Sequence, residues 1–261
     1  MRHSWRVLKA SWRLSFKAAA LFRGDLAIGT AISLAWLGFA IAPVLVAGRY
    51  LGEGDGWTQA RLLFLQAVWY WMDAVMWVFL YNNIRELRDD VRQGRLDGKL
   101  LLPTDSLTYV MLGRFGYADA PKFLIAVALG AWAVAAGAFP GSAWHVAAFL
   151  VCLAAASVIL WAVAVFSSYK VITLFNFDAN VALDAVHNLA RVPTGMYGTV
   201  LRVLLSSALP VILLTTVPST VFVGWSRWWA PLISVGAAIL LVALMRVAWR
   251  RETRLYVGLQ S

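Results

Sequence analysis

The stretch Arg85-Glu86-Leu87-Arg88-Asp89-Asp90-Val91-Arg92-Gln93-Gly94-Arg95-Leu96-Asp97-Gly98-Lys99 decides how this chain is read. Ten of its fifteen residues are polar, and long apolar segments flank it on both sides. A hydrocarbon core cannot hold it, because one charged side chain at the centre of a span already costs about 2.5–3.5 kcal/mol on insertion scales. It therefore belongs in water between two membrane spans. The surrounding composition agrees: of 261 residues, 61% are hydrophobic and 14% charged, with apolar runs too long for a soluble core. The sequence predicts an all-α, polytopic membrane protein.

Six segments are expected to span: residues 26–48, 62–83, 123–139, 143–169, 203–223 and 228–245. Each approaches the roughly 20 apolar residues that cover a bilayer core of about 30 Å. Pro210 and Pro218 fall inside the fifth and are expected to kink or break it, with a re-entrant hairpin near residues 215–228. Of the Lys and Arg residues, twenty fall on the side of the N-terminus and three, Arg49, Arg61 and Arg227, on the other. The positive-inside rule then places both termini in the cytoplasm, with the chain multi-pass in the inner (plasma) membrane. Trp57, Trp144, Trp225, Trp228 and Trp229 mark the outer ends of spans, as an aromatic belt would.

Residues 1–24 form a different element. Arg2, Arg6, Lys9, Arg13 and Lys17 recur at helical spacing, and Trp5, Leu8, Trp12 and Phe16 follow the same period. One helix thus carries a basic and an aromatic face, suited to lying on anionic headgroups, so membrane lipids are expected contacts. The same basic residues occupy the place where a secretory leader needs its apolar core, so no cleaved leader is expected. The net charge of +10 reflects basic residues at span ends, not a patch interleaved with aromatics, and no nucleic-acid partner is expected. Cys152 is the single cysteine, which excludes a disulfide or a thiolate zinc site within one chain.

Two groups of residues carry the chemistry. Glu86, Asp89 and Asp90 alternate with Arg85, Arg88 and Arg92 at i, i+3 and i, i+4 spacing, which predicts a short solvated helix that Gly94 ends before Asp97. Inside the second span, Gln66, Tyr70, Asp73, Trp77 and Tyr81 lie on one helical stripe. A carboxylate among aromatic rings suits an apolar organic cation through charge and cation–π contact, or else an interhelical hydrogen bond. The tract from Lys170 to Arg202, with Asn176, Asp178, Asn180, Asp184, His187 and Asn188, is too polar to span and is expected on the cytoplasmic side.

The run Gly94-Arg95-Leu96-Asp97-Gly98-Lys99-Leu100-Leu101-Leu102-Pro103, followed later by Leu189-Ala190-Arg191-Val192-Pro193, Met196-Tyr197, Leu201-Arg202 and Leu209-Pro210, resembles the two signatures of six-span ABC-2-type permeases. The branch is the one associated with viologen or daunorubicin export, and the resemblance covers essentially the whole chain as one transmembrane domain. It implies the membrane subunit of an ATP-binding cassette exporter, paired with a second permease as a homodimer or heterodimer and served by two ATPase subunits. It also implies a coupling helix at Arg85 to Leu101, with Arg85, Glu86, Arg88, Asp89, Asp90, Arg92, Gly94 and Asp97 facing the ATPase. The stripe from Gln66 to Tyr81 becomes the expected substrate path. No GxxxxGK[ST] run is present, so ATP and Mg are expected in the partner and no cofactor on this chain. Two other classes stay open: an ion-coupled secondary transporter, and a membrane-embedded enzyme whose only acid–histidine pair would be Asp73 with His145.

Overall fold

In a computed structural model, residues 2–21, 23–50, 56–102, 105–138, 142–169, 179–207 and 210–260 are described. Of the residues singled out in the sequence, Pro103, Phe139, Lys170, Asn176, Asp178 and Leu209 lie outside them. The described residues are helical, without strands. The helices are α1 (Arg2–Leu21), α2 (Arg23–Tyr50), α3 (Gln59–Val75), α4 (Asn82–Arg92), α5 (Leu96–Leu100), α6 (Ser106–Leu112), α7 (Pro121–Ala133), α8 (Ala143–Ser168), α9 (Ala179–Leu189), α10 (Thr199–Ser207), α11 (Thr216–Phe222) and α12 (Ala230–Gln260).

Four helical runs are long and apolar enough to cross a bilayer: Gln59–Arg92, Tyr117–Ala138, Ala143–Ser168 and Ala230–Leu255. Shorter apolar helices, Ala27–Phe39 within α2 and Val211–Phe222, stand where the first and fifth spans are expected. The run from Gln59 is the central one, with 78% of its apolar window buried against 22% for the runs through α7 and α12. Thr58 opens it, its hydroxyl accepting from the Arg61 N–H. It packs against α2, α7, α8 and α11, and α12 lies along α8. Phe64 on α3 stacks on Phe222 of α11 at 3.9 Å, and Phe149 of α8 meets the same ring at 5.2 Å.

The charged stretch differs from its sequence reading. It is not one separate helix. A π-helical segment, Met76–Tyr81, joins α3 to α4 without a break, so residues 85–92 form the end of the second-span helix itself. Nothing between Asn82 and Arg92 opposes helix, so propagation continues from the apolar part into the charged stretch. The helix stops at Gly94, whose φ of 66° is a left-handed conformation that glycine adopts without strain, and α5 follows. Several ion pairs run across this turn instead of along one helix: Glu86 with Lys99 (2.7 Å) and with Arg114, and Asp90 with Lys99 (2.6 Å) and Arg95 (3.1 Å).

The fifth segment is interrupted, and the two prolines act differently there. α10 ends at Ser207, a 3-10 turn covers Pro210–Leu213, and α11 starts at Thr216. Pro218 sits in the first turn of α11, where its missing donor has no intrahelical acceptor, so it starts a helix and does not kink one. Gly224, at φ 82°, turns the chain towards α12. α12 runs well past residue 245, carrying Arg246, Arg250, Arg251 and Arg254 on the same helix. In α1, part of the aromatic face meets protein: Trp12 packs on Phe79 and Phe115, Phe16 on Tyr117, and Leu8 is buried. Hydrogen bonds from Ser11 Oγ to the Gly113 carbonyl and from Trp12 Nε1 to the Leu112 carbonyl fix α1 to the end of α6.

Candidate functional site

A cavity of about 500 Å³ opens between α2, α3, the start of α7 and α9. Trp36, Trp69, Tyr70 and Trp77 supply aromatic walls, and Asp73, Asp119, Lys122, Asp184, His187 and Arg191 supply charge or polarity. α3 positions most of it, because residues at i, i+3, i+4 and i+7 share one helical face.

Asp73 is the centre of the polar part. Its Oδ2 accepts from Lys122 Nζ at 2.9 Å, and its Oδ1 lies 3.2 Å from His187 Nε2. Lys122 also reaches Asp119 at 3.2 Å and lies 4.7 Å over the Trp77 ring. The carboxylate is thus answered from two other elements, α7 and α9, in the manner required where water is scarce. One charge cluster ties three helices beside the cavity.

The rest of the stripe is held by backbone carbonyls. Tyr70 donates its hydroxyl hydrogen to Ser33 of α2 at 2.6 Å, and Gln66 donates through Nε2 to Arg191 at 2.7 Å. Trp69 stacks on His187 at 4.5 Å and donates Nε1–H to the His187 carbonyl. Arg191 sits 5.4 Å over Trp69 and donates to the Phe39 carbonyl at 2.8 Å. Burial lowers its guanidinium from the ordinary value, and arginine still keeps its charge. Tyr81 is remote from the cluster and stacks on Trp77 at 4.3 Å.

Four stripe members thus meet around one wall, with Tyr70, Asp73 and Trp77 lining the cavity and Gln66 anchoring the loop behind it. Lys122 and His187 were not legible as partners of Asp73. In sequence they read as a span-end cation and as part of a polar tract, and only packing brings them to the carboxylate. His145 stays apart from this cluster: it lines a separate cavity of about 160 Å³ with Trp144, Arg227 and Trp228, beside Gly224. At the same end, Trp57 meets Trp225 edge-on at 5.2 Å and Arg61 lies 4.5 Å over Trp225.

The second group, at the α4–α5 turn, divides into an inward and an outward set. Asp90 is buried, and Glu86, Arg88, Asp89 and Asp97 are half-buried. Arg85, Arg92, Gly94, Arg95 and Leu101 are exposed, Leu101 to 84%. Leu87 and Leu96 are fully buried beneath them and hold the turn to the bundle.

Comparison with curated proteins and with solved structures returned no match. A family model described as ABC-2 family transporter protein matches residues 35–259, which include the central helix, most of the cavity lining and the charged turn. With that match over most of its length and several apolar helices, the chain belongs to the ABC-2 family of transporter proteins, as a membrane permease component of an ABC transporter.

Proposed function

We propose that this permease forms an exporter with separate ATPase subunits, moving a drug-like or lipophilic organic compound out of the cell. The observation that carries the reading is the outward face of the α4–α5 turn. Leu101 and the guanidinium groups of Arg92 and Arg95 project from an otherwise packed element at the end of the most buried helix. An exposed leucine on the same turn as exposed guanidinium groups suits docking to a soluble partner with an apolar, acidic cleft. Force applied there passes through the Gly94 turn to Arg92, and from Arg92 one continuous helical run leads to Asp73.

In this reading, two permeases, identical or merely similar, pair with two ATPases, which bind ATP and Mg. Six spans cross the inner membrane, α2 and the α10–α11 pair completing the four long ones, with both termini cytoplasmic. Three acids against two permanent cations, together with five aromatic side chains, support an organic cation as cargo in the α3 cavity.

Co-expression with the cassette ATPase provides the test. The two should copurify in a two-to-two complex whose ATP hydrolysis depends on the ATPase, while the permease alone hydrolyses nothing. Transport by the lone permease in liposomes, driven by an ion gradient, would overturn the assignment.

A further inference from the structure

We infer that the cleft enclosed by α1, α4 and α6 binds the phosphate of an anionic phospholipid headgroup. The cleft measures about 880 Å³. Its floor is one face of α4, where Asn82, Arg85, Glu86 and Asp89 follow at i, i+3, i+4 and i+7. Four cations line it, Arg85, Arg95, Lys99 and Arg114, against the two acids Glu86 and Asp89.

The pairing within the protein decides which groups remain for a ligand. Glu86 is neutralised by Lys99 and Arg114, and Asp90, behind the wall, holds Arg95 and Lys99. The Arg85 guanidinium, the Asn82 amide and the Tyr109 hydroxyl have no side-chain partner among the described residues, and all three line the cleft. A guanidinium, an amide N–H and a phenol are the donors that a phosphodiester takes up well. Asp89 is the opposing carboxylate, and it restricts the site to a ligand small enough to sit on the Arg85 side.

Depth selects the lipid. From Ala60 to Tyr81 the central helix has about 22 residues, which at about 1.5 Å each cover one hydrocarbon thickness. Asn82 is the next residue, so the cleft begins where headgroups begin. Its rim carries Leu14 of α1, 69% exposed, an apolar edge that suits an acyl chain and offers nothing to a soluble anion. The site is separate from the α3 cavity and shares Arg95 with the proposed docking turn.

The test is thermal melting of the full-length permease in phosphatidylcholine nanodiscs containing graded phosphatidylglycerol, with sn-glycerol 3-phosphate as the soluble arm. Phosphatidylglycerol should raise the melting temperature saturably. Asn82→Ala with Arg85→Ala should weaken that response about tenfold, the loss expected for one charge-assisted hydrogen bond. Arg85→Lys should restore most of it, and Arg227→Ala, at the far end, should leave it unchanged. Equal stabilisation by phosphatidylcholine alone, or a normal response in the double variant, overturns the site. A full shift from glycerol phosphate makes the ligand a soluble anion and overturns the lipid assignment. So does displacement of the lipid by added ATPase subunit, which would make the cleft a protein contact.

Discussion

Lys122 is where a single side chain carries most consequence. Its ammonium is buried between Asp73 and Asp119 under the Trp77 ring, so removing it leaves carboxylates without compensation. Lys122→Met is expected to destabilise the permease by about 3–5 kcal/mol, the usual result of breaking a buried pair from one side. Lys122→Met with Asp73→Asn removes charge from both partners and should recover a large part of that loss. A double-mutant cycle on melting temperature in detergent reads the coupling directly. Of this cluster, Asp73 and its aromatic neighbours were visible in the sequence because they share one helix and one period. Lys122 and His187 lie 49 and 114 positions further along the chain, and no local pattern encodes which distant cation meets a given acid.

Among the elements, the α4–α5 turn tests best. Leu101 is exposed and in the proposed complex meets the ATPase, whereas Leu87 is fully buried within the chain. Leu101→Asp should therefore leave expression and melting unchanged while reducing ATPase copurification at least about tenfold, equivalent to about 1.4 kcal/mol or more of docking energy. Leu87→Asp should fail to accumulate, since a carboxylate would be buried without a partner. The polar character of this stretch and its glycine stop were readable from composition and φ preference. Its division into a helix end and a separate short helix was not, because charge spacing looks the same in an isolated helix and in the continuation of a span. The aromatic face of α1 misleads for a related reason. Its period is that of any amphipathic helix, and Phe79, Phe115 and Tyr117 take up part of it.

At the scale of the whole molecule, composition alone announces a membrane protein, and the family match over residues 35–259 agrees. Span number is harder to read, since prolines and polar tracts leave helical fragments such as α10 and α11 that hydropathy cannot join. The central helix gives the molecule its mechanics. Gln59–Arg92 is 34 residues long, carries the cavity around Asp73 on one part and the cleft around Arg85 on the other, and has the π-helical segment Met76–Tyr81 between them. That segment works like the keyed joint of a crankshaft: its additional residue sets the angle at which the two throws stand to each other. Inserting one alanine before Asn82 should rotate everything beyond it by about 100° relative to Asp73. Circular dichroism should then remain helical while substrate-stimulated ATP hydrolysis disappears, and deleting Phe79 from the extended chain, which restores its length, should return both the phase and the activity.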